Sequence, residues 1–211
     1  SLLQLKYYGE YFPNTSVSIR INPDFGSGHH YHVITGGRES KFGIFCSNED
    51  KKYIKDIKII SEKYGLKIIG VHAHIGSGIL NESQYIKLAQ IILDIALEFE
   101  NLEFVDIGGG IGVPYREGEK EFDIKSLGND ISQMMQTFTK KYGKEVYLII
   151  EPGRYIVAES GILLTTVYDI KETPLYKFVG VDSGFNHLIR PLAYGSYHRI
   201  INASNVDDEK E

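Results

Sequence analysis

Short runs of β-branched residues recur along the chain at spacings that a helix would fill. SVSIRIN (Ser16–Asn22), KIIGVHAH (67–74), LEFVDI (102–107) and VYLIIE (146–151) each read as a strand. Amphipathic stretches of helical length separate them. One reaches Tyr64, with Gly65 as its stop and Ser47-Asn48-Glu49-Asp50 as N-cap candidates; the others cover 82–100 and 123–142. In the 82–100 stretch, Ile86, Ala89, Ile92, Leu93, Ala96 and Leu97 form the apolar stripe. Such alternation implies a parallel sheet with right-handed crossovers. The run into Glu151 is almost wholly apolar and bounded by Pro152-Gly153, which predicts a strand buried on both faces with a turn after it. After Gly161 the texture changes, and 162–170 and 178–181 read as strands with no helix between. The expected fold is α/β: a partial (β/α)8 TIM-like barrel over residues 1–160, then the start of a β-rich C-terminal domain over 161–211.

Charge and composition exclude several classes. A net charge of −5 argues against a general nucleic-acid binder, which would show a basic patch. No apolar run approaches the roughly 20 residues a membrane helix needs. The mixed, aromatic opening SLLQLKYYGEYF does not read as a signal peptide. A single cysteine, Cys46, excludes an internal disulfide framework and fits a reducing cytosol, so a cytoplasmic location is expected.

Chemistry gathers where the strands end, as it does in barrels. His72 and His74 sit two apart at the end of one strand, and Ser77 follows in a Gly-flanked turn. Gly108-Gly109-Gly110 closes the next and bares backbone N–H groups suited to a phosphate, although glycine turns are often just tight turns. It is no dinucleotide fingerprint, because Pro114 and Tyr115 stand where the binding helix should start. Glu151 and Arg154 end the last strand; a structural ion pair is the plain alternative for the carboxylate. A His-x-His pair also opens many metal-hydrolase sites, but the further His and Asp ligands such a site needs are not evident at later strand ends. The loop DFGSGHHYHVITGGRESKFGIF carries His29, His30 and His32 and reads as a solvated or ligand-edge loop rather than a metal site.

Taken in order, HAHIGSG (72–78), DIGGG (106–110), EPGR (151–154), VDSGFN (181–186), IRP (189–191) and YGSYH (194–198) resemble the diaminopimelate decarboxylase family. Those are alanine racemase-like, fold type III pyridoxal-phosphate enzymes of the Orn/Lys/Arg decarboxylase class II. TGG (35–37) and SKFG (40–43) are similar as well, so the likeness covers nearly all of 16–202. The resemblance implies pyridoxal 5'-phosphate as cofactor and decarboxylation of meso-2,6-diaminopimelate to L-lysine and CO2. Glu151 would face the pyridine nitrogen and keep it protonated, which makes the ring an electron sink. His74 would stack on the ring, with Ser77, Gly108, Gly109, Gly110, Gly153 and Arg154 around the phosphate. Arg154 and Arg190 would fork onto a substrate carboxylate, with Tyr194 adding its hydroxyl. The family's site is completed by a second subunit, so a homodimer is expected.

There are departures. The lysine that carries the family's cofactor has no counterpart, since Lys6 precedes Tyr7-Tyr8 and does not fit. The family's Cys-Glu-Ser-Gly-Asp segment and a later Tyr are also missing, and Cys46 is not that cysteine. His187 stands where the family usually has Asp, and Ser183 where it has Ala. The expectation is an internal fragment that is inactive by itself. The alternatives are a same-fold decarboxylase of another amino acid and a non-catalytic paralogue.

Overall fold

The computed structural model describes residues 1–47 and 51–206. The N-cap candidates Asn48, Glu49 and Asp50 lie outside the described residues. The chain divides into two compact units, residues 1–113 with 121–157, and residues 114–120 with 158–211.

The larger unit is a five-stranded parallel sheet with helices between its strands. Its strands are β1 (Ser16–Asn22), β2 (Ile44–Phe45), β3 (Lys67–His72), β4 (Phe104–Gly109) and β5 (Tyr147–Glu151), ordered β2-β1-β3-β4-β5. The helices are α1 (Leu2–Tyr11), α2 (Lys52–Tyr64), α3 (Ser83–Ala96), α4 (Ile124–Tyr142) and the short α5 (Gly153–Val157). A parallel sheet of this order with crossover helices fits an incomplete β/α barrel. The core is dominated by branched aliphatics, among them Ile19, Ile21, Val71, Val105 and Ile107 from the strands and Ile57, Leu88, Ile92, Ile95 and Ile131 from the helices. Each such side chain, fully buried, contributes roughly 1.5–3 kcal/mol.

The helix ends follow their local chemistry. Asp123 caps α4 by accepting from the Ser126 N–H at 2.9 Å. Gly65 and Gly143 close α2 and α4 in the left-handed conformation. Helix α1 was not expected from its mixed sequence; a capping box in which Ser1 Oγ accepts from Gln4 N–H and Gln4 answers at the Ser1 amine starts it.

Several expectations are corrected. Helix α3 ends at Ala96, and its buried face is turned toward Tyr85, Leu88 and Ile95, leaving Ile86 and Leu97 half-buried. Strand β3 stops at His72 rather than His74. Strand β5 is not buried on both faces: it is the edge of the sheet, and Tyr147, Leu148, Ile149 and Ile150 are all exposed. An apolar run shows that a strand could be covered, not that a neighbour covers it. The Pro152-Gly153 break leads into α5 rather than a turn. Among the described residues, no helix is long and apolar enough to cross a membrane.

The smaller unit carries an antiparallel hairpin, β6 (Val167–Glu172) with β7 (Lys177–Val181), and the helix α6 (Arg190–Tyr194). Strand β6 starts later than the predicted 162–170, and α6 falls where no helix was expected.

Candidate active site

Parallel pairing brings the carboxyl ends of the strands into register. Arg20 of β1 pairs with His72 of β3, His72 with Asp106 of β4, and Gly109 of β4 with Glu151 of β5. Arg20, His72 and Asp106 thus form one row across the sheet, and beyond a register shift Glu151 pairs with Gly109, three residues further along β4.

His74, just past β3, turns its ring toward the glycines. The Gly109 N–H donates to its Nδ1 at 3.1 Å, so that nitrogen carries no proton. Burial holds the His74 imidazole below its ordinary 6.5, Arg20 and His72 push it the same way, and Glu151 opposes them. A neutral, oriented ring suits stacking on a planar cofactor. The sign for stability follows from the lowered value. The neutral-ring contribution is fully present above 6.5 and is lost as pH falls from there through the folded value. Replacing Arg20 with Gln is expected to raise the His74 titration midpoint in a histidine NMR titration, and Glu151→Gln to lower it. A midpoint indifferent to both would contradict this electrostatic picture.

His72 points elsewhere. Its Nε2 lies 3.4 Å from Oε2 of Glu151. The two histidines therefore do not converge on one point, as a His-x-His metal pair would. His72, Asp106 and Glu151 each place one nitrogen or oxygen within 4.8 Å of the others. Asp106 is buried and accepts the Gly108 N–H at 2.8 Å. Burial pushes its carboxyl above the ordinary value, the Gly108 N–H partly offsets this, and the nearby Glu151 adds to it.

These contacts narrow the phosphate donors predicted at the triple glycine. The amides of Gly108 and Gly109 already serve Asp106 and His74. Among the described residues, no hydrogen bond engages the Gly110 amide. Gly110 takes φ +97°, and a Cβ there would strike the Gly76 carbonyl. Gly153, at the start of α5, has open space around it, and the Arg154 guanidinium lies beside Gly78 in the Ser77 turn. The buried Tyr85 hydroxyl donates to the Gly109 carbonyl at 2.9 Å and ties α3 to this strand end.

The long histidine loop leaves His29, Tyr31 and His32 exposed and is tied to the strand ends by hydrogen bonds. The buried Asn22 amide pairs with Gly37 in both directions, at 2.8 and 2.9 Å. Ser27 and Thr35 N–H groups donate to the Ile75 carbonyl, the Thr35 hydroxyl to the His74 carbonyl, and His29 N–H to the Ser77 carbonyl. His29 Nδ1 sits 2.8 Å from that same Ser77 carbonyl, whereas His30 Nδ1 accepts from His32 N–H. His29 thus ties the loop to the Ser77 turn, and His30 braces its own loop.

Within the smaller unit, Arg190 and Tyr194 share α6, one helical turn apart. The Arg190 guanidinium stacks 4.6 Å over the Tyr115 ring, and its Nη1 lies 3.1 Å from His198 Nε2. Burial and the Arg190 charge hold His198 below its usual range.

Residues 1–158 match the family described as pyridoxal-dependent decarboxylase, pyridoxal binding domain. The chain belongs to the pyridoxal-dependent decarboxylases. It is 41% identical over 202 residues to the diaminopimelate decarboxylase of Methanothermobacter thermautotrophicus, covering 92% of this chain and 45% of that protein. Against the Escherichia coli K12 diaminopimelate decarboxylase the identity is 36% over 204 residues, covering 95% of this chain and 46% of the relative. A crystal structure of the Helicobacter pylori enzyme (I148L mutant) complexed with L-lysine superposes with TM-score 0.81 at 34% identity, covering 95% of this chain and 50% of that one. The chain thus spans about half the length of the relatives it matches. In this pyridoxal-dependent decarboxylase the motifs mark His74, the glycines and Glu151, but not Arg20, not Asp106 apart from its glycine motif, and not His72 as the neighbour of Glu151. Their alternation with apolar residues was visible, but register across β1, β3 and β4 was not.

Proposed function

We propose that the protein containing this chain decarboxylates meso-2,6-diaminopimelate to L-lysine and CO2 with pyridoxal 5'-phosphate. The observation that carries the reading is the pairing of Glu151 with Gly109 beside a neutral, hydrogen-bonded His74. When bound, the cofactor supplies an electron sink for the pair left on the α-carbon as CO2 departs. Glu151 would hold a proton on the ring nitrogen, and His74 would cover a ring face. The Gly110, Gly153 and Arg154 amides, with Ser77, would bind the phosphate, since backbone N–H groups and small residues suit an anion. The amides of Gly108 and Gly109 would shape that pocket through Asp106 and His74.

Substrate choice is the finer part of the reading. It is supported by the names of the relatives and by the arginines, because a substrate with a carboxylate at each end calls for guanidinium forks at Arg154 and Arg190, with Tyr194 assisting. A homodimer in the cytoplasm, its site shared between subunits, belongs to the same proposal, as does residue 161 opening a C-terminal β domain. The support is the family resemblance, and sedimentation of the full-length protein tests the dimer. Lysine and CO2 release from meso-diaminopimelate, compared with ornithine, arginine and lysine as substrates, tests the activity. Release from another of these amino acids alone would favour the same-fold alternative. An absorption band lost with hydroxylamine but no turnover of any of them would favour the non-catalytic paralogue.

Arg190 gives a sharper test. Arg190→Lys in the full-length enzyme is expected to raise KM for diaminopimelate by about 10–100-fold, because a point charge replaces a fork, while the cofactor absorption stays unchanged. Loss of colour together with affinity would contradict the assignment.

A further inference from the structure

We infer that His72 is a positioning residue for Glu151: it fixes the orientation of the carboxylate that faces the cofactor's ring nitrogen. This rests on the pyridoxal reading above and adds to it a residue that motif matching leaves without a role.

Glu151 ends an edge strand, and its side chain is 52% exposed. A glutamate so placed has three rotatable bonds and water on one side, so something must select one rotamer. His72 is placed to do so. Its own side chain is only 17% exposed, it sits in the sheet register between Arg20 and Asp106, and its Nε2 approaches Oε2 of Glu151 at 3.4 Å. A carboxylate has two oxygens and about four acceptor sites. With Oε2 held by His72, Oε1 remains for the ring N–H.

Charge gives the second argument. The groups facing this carboxylate are His72 and His74 from the end of β3, Asp106 from β4 and Arg20 from β1. Asp106 is the unfavourable one, a buried carboxyl whose ionisation the nearby Glu151 disfavours. His72 reaches both. Oε2 of Glu151 thus has a ring nitrogen at 3.4 Å beside the Asp106 carboxyl. The imidazole thus acts through Glu151, as hydrogen-bonded supporting groups act through the ligands they orient.

The test uses the full-length protein in two states. In the cofactor-free protein, Glu151→Gln is expected to shift the His72 side-chain resonances, read by histidine NMR, because the group 3.4 Å from Nε2 changes from a carboxyl to an amide. In the loaded enzyme, His72→Ala is expected to lower kcat about 10–100-fold with little change in KM, and to alter the pH dependence of the cofactor absorption. His72→Gln keeps a donor at similar reach and is expected to recover kcat to within about 5-fold of the parent. His72 resonances unmoved by Glu151→Gln overturn the inference, and so does a glutamine variant as slow as the alanine one. If the protein takes up no pyridoxal phosphate, the functional reading falls and the cofactor-directed role falls with it. An intact His72–Glu151 coupling in the NMR arm would then place the fault in the function rather than in the pairing.

Discussion

Glu151→Gln in the full-length enzyme should lower kcat by on the order of 10²–10³-fold, the usual cost of removing one preorganised electrostatic group from a site, while the protein stays folded. The amide has the same shape and can still hydrogen-bond His72, so geometry survives and charge does not. Glu151 is largely exposed at the end of an edge strand, so its replacement removes little packing. Exposed substitutions of this kind typically change stability by no more than about 0.5 kcal/mol. Steady-state kinetics beside a thermal melt separates the effects. A kcat within a few-fold of the parent, in a protein that binds pyridoxal phosphate, would remove Glu151 from the ring nitrogen.

Gly110→Ala should be among the most damaging single-methyl additions in the larger unit. At φ +97° a side chain already costs about 1–2 kcal/mol. The added Cβ would run into the Gly76 carbonyl, and Gly76 is itself pinned against Ser27 and Val33 backbone by the histidine loop. Backbone cannot swing aside as a side chain can, so the combined loss is expected to be about 2–5 kcal/mol. On the phosphate site proposed above, the same change would crowd the Gly110 amide, so cofactor affinity should fall too. Gly128 supplies the contrast. It lies in α4, exposed, with open space around it, and Gly128→Ala should stabilise by about 0.5–1 kcal/mol. Denaturant melts of both variants check the pair, and equal effects would show that the Gly110–Gly76 approach is not what limits the site.

The split between what was legible in the chain and what was not follows physical lines. Local chemistry determined the class. Runs of Val and Ile too short for helices, separated by amphipathic stretches, specified a parallel α/β sheet. Gly65 marked a helix stop in the sequence, and Asp123 and Gly143 cap α4 in the structure, because capping is a contact between near neighbours. The strand ends bearing His74, the glycines and Glu151 could be named from motifs alone.

Three matters needed the tertiary structure, and all of them are pairings across distance. Period two places His72 and His74 on one side of a strand, but only the strand's end at His72 and the register with β4 and β5 send one ring to Glu151 and the other to Gly109. An apolar run cannot announce that it lies on a sheet edge, because coverage belongs to the neighbour and not to the strand; hence the exposure of β5. Three glycines in a row promise free amides, yet which amides stay free depends on Asp106 and His74, whose side chains reach them only once the sheet has assembled. The sequence by itself determined which chemical groups stand at the strand ends. The fold decided which of them meet, because parallel pairing sets contacts between residues that the chain holds far apart.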